Sequence, residues 1–548
     1  VKRQLFLASG AAALTAATGR SRAEAAGKSI FLQPSLRDKL ATRAERTDFR
    51  ETSTYADVME FLDALDRRGA PIFRGTLGTS VQGRDIPFVV ASRPRITSPR
   101  EARESGRAIV YLQANIHGGE VEGKEALLAM LRDLCVSTEK TLLDDLVLLI
   151  VPIYNPDGNE HFAEEAVNRP EQNGPARIGA RPNGAGLDLN RDYVKAEAPE
   201  TRGFLEFIHA WNPDVMIDCH ATDGSYSGYA LTYAPSLHPA AFGGGPYARD
   251  TILPDVRAQM QDKFGLTTFD YGNFGRTKTL TLPAPSNNAR EYGWFTYDYR
   301  PRFGTNYFGL RGRIAILSEA YSHDTFERRV FATRAFVETT LGFISAKDDQ
   351  IIRVSQLGDN YIGGPIPTRA TFPLTPPRME SVQWEQLSSD PTGGEPGLPP
   401  GVRRSGSFSA AVMPVYDRFA GAAFVQPKGY LIRYKDTLTL LPLLKRHGIL
   451  YEQLVSPVKY RGRTYFVSRV DRAPTPFEGH HEVTLSGRWT DLADVATKFG
   501  DVHVPINQTL GPLAACLLEP EAADSFATWG LLDANIAVGA PYPAIRLE

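Results

Sequence analysis

Polar residues that stand where apolar runs of this sequence end have the makings of a metal centre. His117 and Glu120 lie in "NIHGGEVEG" (residues 115–123), and His220 lies in "MIDCHATDG" (residues 216–224). The H-x-x-E spacing lets one turn bring an imidazole and a carboxylate to a single point, while Gly118 and Gly119 allow tight backbone geometry and carry no side chain to obstruct it. A catalytic zinc takes three protein ligands and keeps a position open for water, so a further histidine is expected at another strand end, and His220 is placed to be it. Glu319 arrives in the same way at the end of "RIAILSE" (residues 313–319). A buried ionisable group is costly without a partner, so several of them at strand ends are hard to explain as core filling. The chemistry this set suggests is hydrolysis assisted by one zinc per chain.

The elements that must position these groups read as an α/β sheet. From about residue 47 to residue 347, apolar runs alternate with amphipathic segments. Residues 108–116, 146–154, 214–220 and 313–320 are nearly continuous apolar runs, as expected of strands covered on both faces. Residues 120–135, 199–212 and 325–344 carry apolar positions at helical spacing. In open α/β sheets ligands bind at the carboxyl ends of strands, and His117 stands one residue past a strand expected to end at Ile116, with Glu120 opening the next helix.

Residues 363–406 crowd proline, glycine and serine and read as a linker or long surface loops. Residues 408–548 mix short strand-like runs with a leucine-rich helix and read as a smaller, mixed or β-rich accessory unit of unknown role. Residues 1–27 join a basic start to an apolar stretch and small residues, the pattern of an export signal close to the twin-arginine type, so a periplasmic or secreted protein is expected. That stretch is too short for a membrane anchor and nothing later qualifies, so no stable membrane insertion is expected. With 42% hydrophobic and 23% charged residues the chain is not a largely disordered one, and a net charge of −2 offers no basic surface for nucleic acid. Cys135, Cys219 and Cys516 are too few for a disulfide framework and are expected as buried free thiols. No signal of oligomeric state is legible.

Taken in order, "LGTSVQGRDI" (77–86), "HGGE" (117–120), "YNPDGNEHF" (154–162), "RPNGAGLDLNRDY" (181–193), "DCHATDG" (218–224) and "LSEAYSH" (317–323) resemble the M14 family of zinc carboxypeptidases over roughly 300 residues. The resemblance implies a three-layer α/β/α sandwich with a mixed, mostly parallel central sheet, and a zinc-dependent metallocarboxypeptidase acting on peptides with a free C-terminus. It implies His117, Glu120 and His220 as zinc ligands, Glu319 as the carboxylate that moves the proton of the attacking water, and Arg181 as the donor to the oxyanion. Asn190 and Arg191 match the pair that holds the terminal carboxylate, and Asp188 matches a position that hydrogen-bonds a zinc histidine. A tyrosine over the substrate is implied too, with Tyr297, Tyr299 and Tyr307 as candidates.

Asp192 departs from the asparagine common after the Asn-Arg pair and is expected to place a negative charge near that clamp. Glu122 and Glu125 are expected in solvent, Asp223 in a turn, and the remaining histidines on the surface or in satisfied structural roles. A zinc amidohydrolase of small N-acyl amino acids or cell-wall peptides, and a non-catalytic binding protein on a peptidase scaffold, are the competing readings. The "YNPDG" turn and the set of Arg181, Asn190 and Arg191 favour the peptidase.

Overall fold

Strict alternation along the apolar runs divides their side chains between two cores. The computed structural model describes residues 40–276, 292–360, 363–394 and 398–548, so the expected export signal lies outside the described residues. Eight strands form the main sheet: β1 (Ile72–Thr79), β2 (Asp85–Ala91), β3 (Ile109–Ala114), β4 (Val147–Val151), β5 (Val215–Ala221), β6 (Leu231–Pro235), β7 (Thr268–Asp270) and β8 (Ile314–Ala320). Their order is β1-β2-β4-β3-β5-β8-β6-β7. The central run β4-β3-β5-β8 is parallel, whereas β1/β2, β2/β4 and β8/β6 are antiparallel.

Val110, Leu112, Ile217 and Ile316 point to one core, shared with α1 (Tyr55–Arg67), α2 (Glu122–Val136), α4 (Leu253–Phe264) and α5 (Phe326–Ala346). Tyr111, Met216 and Ala315, one position along in each strand, point to the other, against Phe204 and Phe207 of α3 (Pro199–Trp211). This is the layered α/β/α arrangement expected. The second core does not stop at residue 347: Leu440 and Leu444 of α6 (Thr437–Arg446), with Leu513, Phe526 and Trp529, belong to the same apolar cluster.

The Pro/Gly-rich stretch expected as linker or loops holds β-structure. Residues Ile366–Thr371 are a strand, and β9 (Arg378–Ser389) pairs along its length with β10 (Val402–Tyr416). β10 in turn pairs with residues Tyr292–Phe295, so this ribbon is hydrogen-bonded to the preceding region. Beyond it lie a six-stranded sheet and a separate two-stranded ribbon of β11 (Tyr465–Arg472) and β12 (Val483–Trp489). No helix among the described residues is long and apolar enough to cross a membrane. Cys219 and Cys516 are buried free thiols as expected, and Cys135 is partly exposed.

Glu122 and Glu125 are not solvated. Glu122 forms a fully buried ion pair with Arg329 at 3.1 Å, and Glu125 accepts from the Ser53 amide at 2.6 Å and from the Thr52 hydroxyl at 2.9 Å. The expectation failed because α2 is packed beneath α1 and α5, leaving its polar face dry.

The seam between the two regions holds a buried histidine. His447 Nε2 lies 3.1 Å from the Val194 carbonyl, which can only accept, so Nδ1 accepts a hydrogen bond from the Tyr307 hydroxyl at 2.7 Å. Burial drives this ring's pKa down to about 3, and burial does the same to His238. An unfolded histidine takes a proton near pH 6.5, so between about 6.5 and 3 the unfolded state binds more protons and stability rises with pH. The contribution should be complete above pH 6.5 and decline at up to about 1.4 kcal/mol per pH unit per histidine as pH falls toward 3. Thermal midpoints measured from pH 7 to pH 4 should drop less steeply in His447→Gln, whose amide can serve the same two partners without charging.

Candidate metal centre

The order of the central strands creates a crevice where a ligand belongs. From β3 the chain crosses to β4 on one side and returns to β5 on the other, so the ends of β3 and β5 flank a topological switch point. His117 follows β3 and His220 lies on β5; Glu319 on β8 is the direct parallel partner of His220. Asp218, two residues before His220, shares its face of β5.

β3 ends two residues earlier than expected, at Ala114, because Asn115 takes a left-handed conformation with φ of 60°. Its side-chain amide then donates to the carbonyls of His117, Gly118 and Glu120, each at 3.2 Å, which folds the loop back on itself. Glu120 consequently lies two residues ahead of α2 rather than opening it. The glycines serve packing between loops as much as access. A Cβ on Gly118 would meet the Gly158 carbonyl carbon at 2.2 Å, and one on Gly179 would come within 2.6 Å of the Gly118 oxygen. Asn155 caps the turn at Gly158 and donates to the carbonyls of Ile116 at 3.1 Å and Arg181 at 3.3 Å, tying the loops together. Asp157, in the same turn, accepts from Ser80, Gln82 and Arg84 at the β1–β2 tip.

His117, Glu120 and His220 are all buried, and one donor atom from each lies within 4.8 Å of the others. The Glu120 carboxylate stands 2.8 Å from Nδ1 of His117 and 2.9 Å from Nδ1 of His220. Each far nitrogen has its own carboxylate: His117 Nε2 is 3.1 Å from Asp188, and His220 Nε2 is 3.1 Å from Asp218. The hydrogen bond to Asp188 fixes the His117 ring and its tautomer, and Asp218 gives His220 an ion-pair contact. Burial opposes ionisation of Glu120, but His117, Arg169 and His220 hold its carboxyl well below the usual range. Burial likewise disfavours a charged His220, yet Asp218 and Glu120 raise it well above the usual imidazole value. Glu319 is raised well above the usual carboxylate range, foremost by burial, with Glu120 and Asp223 adding to it against His220. Four carboxylates (Glu120, Asp188, Asp218 and Glu319) thus surround the point where the imidazoles converge, against the guanidinium groups of Arg169 and Arg181. An N, O, N donor set in acidic surroundings fits zinc.

The remaining expected residues gather at the same place. Arg181 forks onto Asp188 Oδ2 through Nε at 3.0 Å and Nη2 at 2.8 Å, and its Nη1 is 3.5 Å from Glu120. Burial pushes the Asp188 carboxyl up, but His117, Arg181 and Arg191 together bring it well below its ordinary value. Asn190 uses its side-chain oxygen on the Gly304 amide at 2.9 Å, so its amide hydrogens stay available. Arg191 lies over the Phe303 ring at 4.1 Å. Asp192 does not face this clamp: fully buried, it accepts from the Glu197 amide at 3.1 Å and the Ala198 amide at 2.9 Å ahead of α3, with Lys195 at 3.6 Å.

Of the candidate tyrosines, Tyr297 bonds Thr305 at 2.7 Å, and its hydroxyl is raised mainly by burial and further by Glu319. Tyr299 packs on Phe419 and His238, and Tyr307 is in the seam with His447. Sequence reasoning missed Tyr271, which packs edge-on to Tyr297 and whose hydroxyl feels Glu319, and Arg169, which donates to Glu120 at 2.6 Å and to the Thr222 carbonyl at 2.9 Å. Neither sits at a spacing from any ligand that could have flagged it. Asp218 was within reach, since its position two before a strand histidine puts it on that histidine's face.

Comparisons with known proteins bear on the kind of enzyme this is. Residues 58–242 match the zinc carboxypeptidase family. The chain carries a zinc carboxypeptidase domain and is a metallopeptidase. It is 24% identical over 495 residues to carboxypeptidase 2 of Trichophyton equinum, covering 86% of this chain and 81% of that protein. It is 32% identical over 161 residues to human carboxypeptidase D, covering 28% of this chain and 11% of that protein. Among solved structures, a metallo-carboxypeptidase from Burkholderia cenocepacia aligns over 54% of this chain and 70% of that one, at a TM-score of 0.39 and 16% identity.

The close loop packing around this metallopeptidase's candidate metal centre has a direct check. Gly118→Ala cannot be relieved by a side-chain rotation, because the obstacle is backbone. It should destabilise the protein by about 1–3 kcal/mol or more, read by denaturant titration, and reduce zinc content with it.

Proposed function

We propose that this metallopeptidase is a zinc-dependent carboxypeptidase that removes the C-terminal residue of peptides, with His117, Glu120 and His220 as the zinc ligands. The observation that carries the reading is the convergence of these three donors beside Glu319, with Asp188, bonded to His117, capping the turn that holds Asn190 and Arg191. When bound, zinc supplies Lewis acidity, which polarises the scissile carbonyl and lowers the pKa of water. The Glu319 carboxylate has no hydrogen bond or ion pair among the described residues and lies on the strand position paired with His220, which suits a group that takes a proton from the attacking water and returns it to the leaving amine. Arg181, whose Nη1 points toward the ligands, stabilises the developing oxyanion. Arg191 and the free amide hydrogens of Asn190 bind the substrate's terminal carboxylate. Asp188 and Asp218 orient the two imidazoles. The basic-headed, alanine-rich residues 1–27 support an exported enzyme.

The decisive experiment measures metal by mass spectrometry and follows release of C-terminal residues from peptides on the same samples. Wild type should hold about one zinc per chain, and Glu120→Ala should lose both zinc and activity. A zinc-loaded wild type that leaves peptides intact but hydrolyses N-acyl amino acids would overturn the peptidase reading.

The roles around the metal separate kinetically. Glu319→Gln should keep zinc and lower kcat by about 10²–10⁴. Arg181→Ala should lower kcat by about 10²–10³, whereas Arg191→Ala should act chiefly through KM.

A further inference from the structure

Asp188 is the hinge of the proposed site, and its main chain is held from an unexpected direction. Its side chain is bonded to His117, Arg181 and the Asn190 amide. Its backbone N–H donates at 3.0 Å to Glu478 Oε2, a residue 290 positions later in the loop joining β11 to β12. Asp188 is only 8% exposed, and a buried N–H deprived of its acceptor costs about 1–3 kcal/mol.

The loop that delivers Glu478 is shaped and anchored for this contact. Glu478 itself has φ of 48°, a left-handed conformation that costs a residue with a Cβ about 1–2 kcal/mol and persists where the surroundings impose it. The loop is pinned to the two segments that form the clamp. His480 Nε2 lies 2.8 Å from Glu197, a few residues past Arg191. Glu482 lies 2.6 Å from Arg302, which bonds Asp524 at 2.7 Å, stacks over Trp529 at 4.4 Å, and adjoins the Phe303 and Gly304 that hold Arg191 and Asn190.

We propose that Glu478 is a positioning residue of the active site: by holding the Asp188 amide it sets the turn from which Asn190 and Arg191 project, so that the C-terminal unit completes the pocket for the substrate's terminal carboxylate. This rests on the clamp role given above to Asn190 and Arg191. Glu478 does not touch the reacting bond; it fixes the direction of the groups that bind the peptide end, and its loss should appear in substrate affinity.

The test measures kcat and KM for a short peptide with a free C-terminus and for the same peptide as its C-terminal amide. It compares wild type, Glu478→Ala, Glu478→Gln and His480→Ala, with zinc content and thermal midpoint recorded for each. Glu478→Ala should raise KM for the free acid about tenfold and reduce its preference over the amide by a similar factor, with zinc retained and kcat within about threefold. Glu478→Gln keeps a carbonyl oxygen for the Asp188 N–H and should return to within about threefold of wild type. His480→Ala loosens the loop without touching Glu478 and should raise KM in the same direction. An unchanged KM in both alanine variants, or a kcat loss without a KM change, overturns the positioning role; a glutamine variant as impaired as the alanine overturns the acceptor argument. A wild type that cleaves the amide as readily as the acid removes the clamp itself, independently of Glu478.

Discussion

One carboxylate, that of Glu120, is shared between two imidazoles in a buried crevice, and most of the surrounding structure serves to keep that arrangement in place. An isolated carboxylate there would be driven to its neutral form. The Nδ1 atoms of His117 and His220 and the Arg169 guanidinium prevent this, and Asp188 and Asp218 stand behind the two imidazoles. Asp218 in turn accepts from Gln113 at 3.1 Å, and Gln113 accepts from Tyr111 at 2.8 Å, so a polar chain runs from the crevice back into the sheet.

The strand-end positions of His117, His220 and Glu319 were legible because parallel strands covered on both faces leave long apolar runs, and a polar residue at their end stands out. What lay beyond periodicity was local backbone and tertiary cover. Asn115 could not be foreseen as the end of β3, since its left-handed turn is stabilised by carbonyls of the very loop it creates. Glu122 and Glu125 misled because helical periodicity assumes a wet outer face, and α2 has none. Arg169 and Tyr271 reach the site from loops whose paths no spacing encodes. Asp192 was misjudged for a related reason: its place after the Asn-Arg pair suggested a charge in the pocket, but the chain turns there and uses it on the amides ahead of α3.

The residues that make a motif recognisable and those that could do its chemistry are separable here. "HGGE" contributes two candidate ligands, yet its glycines are explained by backbone contact with Gly158 and Gly179. The "YNPDG" turn contributes no reactive group; it gives Asn155 to lash the ligand loop to the Arg181 loop and Asp157 to hold the β1–β2 tip. A site of this kind needs its donors placed to a few tenths of an ångström, and direct backbone-to-backbone packing of loops achieves that where flexible side chains would not.

The C-terminal region is harder to regard as an appendage once the cores are traced. Strands buried on both faces need cover on both, and the helices that follow them in sequence supply most of it on one side only. On the other, α3 is joined by Leu440, Leu444, Phe526 and Trp529 in one continuous cluster. Tyr307 shows the consequence: its place before Glu319 made it a candidate to cover the substrate, but it is spent on the seam, bonded to His447 within the shared core. The same seam carries Lys195 over Trp529 and His480 against Glu197, contacts that fall a few residues past Arg191. A unit packed into the core and in contact with that turn constrains how the turn can move. The turn that carries Asn190 and Arg191 is therefore held by contacts from both regions, not by residues 47–347 alone.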